Sequence, residues 1–289
     1  MNIYTLGMNN ITLQEEKVMT KLQYAKAIAA IIGGEVKEVE KANGVKCVGV
    51  MKDTGTNMAP NVYIDDLYDA GVSIEDAVAK VKATIEDEGI REESFDWIYD
   101  FEKVKPKLRA RLYNQKTKTD LYKSARPYGF DDLIIIPYLV DVIPTVDGMA
   151  SIRVKQDLFE MWEITEDELF DIAMENSKAD IERHTMADML SQIMDAPLEE
   201  LPFGEIGLPM YVITNKSKMY GAIGILSELD FFKRRFPNGF SVIPSSVHEV
   251  IVVESGMEGL SEMIGSVNAE AVREEEQLGE HAYYFGERG

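Results

Sequence analysis

Residues 208 to 254 read LPMYVITNKSKMYGAIGILSELDFFKRRFPNGFSVIPSSVHEVIVVE, and the order of patterns in that stretch decides the fold. Met210 to Thr214 is a short apolar run, ended by the polar loop Asn215-Lys216-Ser217-Lys218. Ala222, Ile225, Leu226, Leu229, Phe232 and Phe236 recur at helical spacing, which predicts a helix with one apolar face. Pro237-Asn238-Gly239 ends it, because proline cannot continue a helix and glycine accepts positive φ. Phe240 to Ile243 and Val247 to Val253 then read as strands joined through Pro244-Ser245-Ser246. Strand, loop, helix, strand, turn, strand is the predicted centre of the main core.

The rest of the chain sets bounds. With 289 residues it can bury a full core, in one large or two modest domains. No apolar run reaches the ~20 residues that span a bilayer, so no membrane partner is expected. The first ten residues, MNIYTLGMNN, show neither a basic n-region nor a long apolar h-region, so no secretory signal is read and the expected location is cytoplasmic. A single cysteine, Cys47, excludes an internal disulfide and a cysteine-based zinc cluster.

The formal charge is −21. Such a surface repels DNA and anionic membranes, which argues against direct nucleic-acid binding. It serves solubility, or it serves a partner with a basic surface. One segment runs the other way. Residues 102 to 126 carry nine basic and two acidic side chains, a net +7 that leaves −28 elsewhere. That island could hold a phosphate-bearing ligand, complement the acidic surface of the same molecule, or lie solvated.

Taken in order, residues 1–11 read as a loose extension. A helix is predicted from Thr12 to Ile32, ended by Gly33-Gly34. Asn43-Gly44 lies between β-rich runs and predicts a hairpin, and Asn61 to Ile64 adds a third strand. Ser73 caps a helix through Ile85. Phe95 to Tyr113 reads as helical, divided at Pro106. Arg126 to Gly129 marks the expected domain boundary. Leu133 to Val142 and Met149 to Val154 read as strands about an Asp-Gly turn. Thr165 and Glu168 form a capping box ahead of a helix whose Asp167, Glu168, Asp171 and Glu175 predict an exposed acidic stripe. A further helix is predicted from Ile181 to Met194. The expected fold is α+β: a small sub-domain over residues 12–126, then a larger antiparallel or mixed sheet over 127–289 with helices packed mainly on one face.

The segments MAPNVYIDDLYD, DFEKVKPKLRARLYN, MWEITEDELFDIAMENS, YVITNKSKMYGAIGIL and VIPSSVHEVIVV occur in this order. Together they resemble a bacterial domain-of-unknown-function family, number 5688, common in gut Firmicutes. The segment around Trp162 to Asn176 is more weakly similar to a second family, of the kind called YtpQ. Neither resemblance implies an activity, a catalytic residue or a cofactor. The recurrent residues it implies are Pro60, Tyr63, Asp65, Arg111, Asn114, Trp162, Asn176, Thr214, Asn215, Gly221, Pro244, Ser245, Ser246, His248 and Glu249.

Two stretches carry chemistry. Ser246 and His248 are two apart, so on a strand they share a face, but Glu249 points the other way and cannot easily orient the imidazole. The alternative is a turn whose serines bond local backbone. The loop Asn215 to Gly224, with Lys216 and Lys218, could attract an anion, yet it lacks both the P-loop and the dinucleotide fingerprint. His184, His248 and His281 have no metal-ligand spacing, and no metal or other cofactor is expected. The leading expectation is a non-enzymatic interaction protein for a basic protein partner. The alternative is a small-molecule or nucleotide-handling enzyme using the Ser245/Ser246/His248 turn or the Asn215 loop. A cleft joining those loops to Arg109 or Arg111 would favour the second, and flat acidic helices the first.

Overall fold

Helix α1 (Lys21–Ile32) starts at a capping box. The Thr20 hydroxyl accepts the Gln23 N–H at 3.3 Å, and the Gln23 amide oxygen accepts the Thr20 N–H at 2.9 Å. The start expected near Thr12 is therefore corrected: Met19 and Thr20 are not helical. Apolar spacing extends past a helix end, whereas a cap terminates it. The computed structural model describes residues 19–40, 45–53, 61–85, 95–142, 151–189 and 210–286. The extension at residues 1–11, the Asn43-Gly44 turn and the Asp-Gly turn lie outside the described residues.

Gly33 ends α1 at φ 71°, and β1 (Glu35–Glu40), β2 (Lys46–Met51) and β3 (Asn61–Tyr63) follow as an antiparallel sheet in that order. After a short helix α2 (Asp65–Asp69), Ser73 caps α3 (Ile74–Ile85) by accepting the Asp76 N–H at 3.1 Å. Ile28, Val50, Ile64 and Val81 close a small core between these elements.

The next segment departs from its helical reading. A 3₁₀ turn (Phe95–Tyr99), a one-turn helix α4 (Phe101–Val104) and a 3₁₀ turn over Lys105–Lys107 that contains Pro106 end at Lys107, and Leu108–Asn114 is a strand, β4. Leu108, Ala110 and Leu112 alternate with Arg109, Arg111 and Tyr113, a period of two that the helical pattern concealed. β4 pairs antiparallel with β6 (Leu133–Val140) over seven positions, and β5 (Lys123–Ser124) and β7 (Ser151–Arg153) also pair with β6. Every residue of β6 is buried. The boundary expected at residues 126 and 127 thus falls inside one sheet: the small core ends at Ile85, and the large one begins at Val104.

α5 (Gln156–Glu160) and α6 (Glu166–Lys178) come next, and α6 packs on β4 and β6. The helix expected from Ile181 is also corrected, since Ile181–Thr185 is strand β8, paired with β9 (Tyr211–Asn215). Edge pairing overrides the weak helical spacing there. After α7 (Ile225–Arg235), β10 (Phe240–Ile243), β11 (Val250–Glu254), α8 (Leu260–Glu270) and β12 (Tyr283–Phe285) complete an antiparallel sheet in the order β12-β10-β11-β9-β8. The strand, loop, helix, strand, turn, strand order of residues 208 to 254 is observed from Met210 onward. The fold is α+β, and every described strand pairing is antiparallel. No described helix is long and apolar enough to cross a membrane.

β12 is tied to the neighbouring sheet by the Tyr283 hydroxyl, which donates to Asp132 Oδ1 at 2.6 Å. Burial first, then the hydrogen bond and negative charge of Asp132, hold this phenol well above the ordinary tyrosine range. A pKa raised on folding contributes stability that is present below the unfolded value, about 10, and lost as the pH rises beyond it. Urea midpoints should fall steadily above about pH 10, more shallowly for Tyr283→Phe. Parallel pH profiles of the two proteins would refute this account.

Candidate functional site

Alternation along β4 puts Arg109, Arg111 and Tyr113 on one face. Tyr138 lies across from Arg109 on β6, so its ring reaches the diagonal neighbour Arg111. The Arg111 guanidinium carbon is 4.2 Å from the centroid of the Tyr138 ring and 3.6 Å from that of Tyr220. Tyr113 extends the aromatic wall, with its ring 6.0 Å from Tyr138. Burial raises the Tyr113 phenol well above its ordinary range, and the Arg111 charge pulls it the other way. Arg111 is 2% exposed, the one fully buried charged side chain among the described residues.

Tyr220 reaches Arg111 because a dense loop presses it there. Its backbone is left-handed, at φ 59° and ψ 31°, a conformation that a bulky residue adopts only under constraint. The constraint begins with Asn215. Its amide oxygen accepts the Met219 N–H at 3.1 Å and the Ser217 hydroxyl at 3.0 Å, while its NH₂ donates to Met219 O at 2.8 Å. The Tyr220 N–H then donates to His248 Nδ1 at 3.1 Å. The His248 carbonyl accepts from Gly221 N–H at 2.9 Å and from the Thr214 hydroxyl at 3.1 Å. A Cβ on Gly221 would lie 2.5 Å from the Asn215 backbone nitrogen, so this position needs glycine.

The same bonds dispose of a serine–histidine pair. Ser246 Oγ accepts the His248 backbone N–H at 3.1 Å, and Ser245 N–H donates to Ile243 O at 3.0 Å. With Nδ1 accepting from Tyr220, the imidazole proton sits on Nε2, which faces Glu276 Oε1 at 3.4 Å. Neither ring nitrogen is left to take a proton from Ser246. Glu249 is not the acid beside the imidazole. Glu276 is, and nothing in the run Glu274-Glu275-Glu276 signals it, since the contact joins segments 28 residues apart.

Two cavities share Arg111 and Tyr220 as walls. One, of 310 Å³, lies among β4, β8 and the Asn215 loop and includes Arg109, Asp180 and Lys216. The other, of 430 Å³, lies between the two cores and includes Glu40 and Tyr63 from the small one. Arg109 and Asp180 pair at 3.0 Å. The cleft thus joins the Asn215 loop to Arg109 and Arg111, while the serine turn supports it from behind. Among the described residues no three His, Cys, Asp or Glu side chains are placed to hold a metal.

The other candidates are elsewhere. Asp65 accepts the Val48 N–H at 2.9 Å and pairs with Lys21 at 3.1 Å in the small core. Asn114 accepts the Lys116 N–H at 2.9 Å and donates to Leu278 O at 3.4 Å. Asn176 donates to Lys105 O at 2.8 Å and Leu108 O at 3.1 Å, where helix gives way to β4, and Trp162 Nε1–H donates to Ile98 O at 2.7 Å. Pro60 lies outside the described residues. Asp167, Glu168, Asp171 and Glu175 are exposed on α6. Lys123 approaches Asp167 at 2.6 Å, and that hydrogen bond holds the carboxyl below its usual range. Lys116 pairs likewise with Glu280 at 2.8 Å and Lys118 with Glu40 at 2.5 Å, so the basic stretch complements acids of the same molecule.

This fold and cleft define an α+β protein with a buried arginine–tyrosine stack between two cavities. Its chain belongs to the Family of unknown function (DUF5688), whose model matches residues 15–287. No curated protein and no solved structure matches it.

The loop that positions Tyr220 can be tested at its tightest point. Gly221→Ala should lower stability by about 1–3 kcal/mol, as an overpacked site does. Gly265→Ala, inside α8 with nothing within 4 Å of an added Cβ, should raise it by about 0.5–1 kcal/mol. Chemical denaturation measures both, and an unchanged Gly221→Ala midpoint would contradict the crowding.

Proposed function

We propose that this chain is a cytoplasmic, non-catalytic binding protein whose ligand is a small anion-bearing molecule seated against Arg111. The burial of Arg111 between two tyrosine rings carries this reading. Removing a guanidinium from water costs several kcal/mol, and each desolvated cation–π contact offsets about 2 kcal/mol of that. A stack of this kind holds the guanidinium plane in one orientation before any ligand arrives, and preorganised donors are what carboxylates and phosphates need. The positive group also stands in a chain of net charge −21, which makes the cleft electrostatically distinct from the surface around it. Volumes of 310 and 430 Å³ suit a small ligand.

Hydrolysis by the serine turn finds less support, because Ser246 and His248 spend their polar atoms on holding Tyr220. Generic ester and phosphoester substrates should therefore show no turnover. Turnover abolished by both Ser246→Ala and His248→Ala, with folding intact, would overturn the non-catalytic reading.

Attraction of a basic protein is a second reading, favoured by the exposed row of Glu168, Asp171 and Glu175 on α6. Its strength would fall with salt.

The leading reading is tested by thermal unfolding with phosphate, acetate and citrate at constant ionic strength. A ligand at 100 times its Kd adds about 2.7 kcal/mol to stability. One of these anions should raise the wild-type Tm, and the rise should vanish in Arg111→Met and shrink in Arg111→Lys. Equal rises in all three proteins would refute a seat at Arg111.

A further inference from the structure

We infer that the 430 Å³ cavity takes a small zwitterion, a molecule with a carboxylate, an ammonium and an apolar or aromatic body. This rests on the reading of Arg111 as the anion seat and adds the rest of the ligand.

The charges of the cavity wall come in both signs. Arg111, Arg153 and Lys155 are basic, and Glu40, Glu275 and Glu276 are acidic. A ligand with one net charge would meet like charge on part of this wall, which is unfavourable. A ligand carrying both charges answers both. The negative pole is a built one. Glu276 is held by the Val247 N–H, which donates to its carbonyl at 2.8 Å, and its carboxylate faces the His248 Nε2 at 3.4 Å. Glu40 already pairs with an ammonium, that of Lys118 at 2.5 Å, whereas Glu276 faces an imidazole at the longer 3.4 Å, so Glu276 is the better seat for an ammonium.

The two poles are mechanically linked. The Tyr220 ring centroid lies 3.6 Å from the Arg111 guanidinium carbon and 5.1 Å from the centroid of the His248 ring. Arg111, Tyr220, His248 and Glu276 thus form one contiguous row ending in opposite charges. Tyr113, Tyr138 and Tyr220 line the same cavity with ring surface, which suits an apolar body and attracts a cation through its π-faces. Free amino acids and short peptides share this chemistry, and they differ in how far apart the charges stand.

Isothermal titration calorimetry on the full chain tests this with four probes: phenylalanine, glycyl-phenylalanine, 3-phenylpropionate and 2-phenylethylamine. One of the two zwitterions should bind at least tenfold tighter than either singly charged probe, and which one it is reports the charge separation. Glu276→Gln keeps a polar group beside His248 and should narrow that gap, while Arg111→Met should abolish binding of every carboxylate. Equal affinity for the zwitterions and 3-phenylpropionate would overturn the zwitterion and leave the anion seat standing. So would a gap that survives Glu276→Gln. Tightest binding of 2-phenylethylamine, or no binding by any carboxylate, would overturn both.

Discussion

One buried charge organises the centre of this molecule. Arg111 could not stay at 2% exposure on dispersion alone, since an unsolvated guanidinium costs more than the burial of its stem returns. Two tyrosine rings on opposite elements pack against it, Tyr138 from the neighbouring strand and Tyr220 from a loop of the other sheet. The stack locks the sheet of β4 and β6 against the sheet of β9 and β11, and cavities open on either side of it.

Much of the polar architecture serves that contact. Asn215 closes the loop, Gly221 lets it approach the backbone of β9, and Thr214 and Gly221 both bind the His248 carbonyl. His248 then holds the backbone of Tyr220 in a left-handed conformation. Residues that look like a nucleophile and its base are the supports of an aromatic side chain. The same composition can serve catalysis or architecture, and only the direction of each donor and acceptor separates the two.

Charge shows a similar division between total and arrangement. The basic stretch over residues 102 to 126 does not form one patch. Strand alternation and turns scatter it, so that Arg109, Lys116, Lys118 and Lys123 each meet an acid from a distant segment. Solvent and salt screen such pairs, so they set orientation more than stability. The acidic helix α6 keeps its exposed row, with Asp167 engaged by Lys123.

Local patterns were legible wherever the signal was itself local. The helix of residues 225–235 with its Pro-Asn-Gly stop, the paired strands around Asn43-Gly44, the Ser73 and Thr165 caps and the buried run of β6 all follow from spacing, turn chemistry or continuous apolarity. β4 and β8 were misread because each is a short, charged segment whose strand state is decided by a partner far along the chain. For the site, the sequence by itself singled out Arg111, Asn215, Gly221 and His248 only through a resemblance carried by short segments. Only the tertiary structure decided that they meet around Tyr220, and that Glu276 joins them. The row from Arg111 through Tyr220 and His248 to Glu276 is a product of sheet packing, and no periodicity or spacing along a chain encodes which distant side chains a packed core will bring face to face.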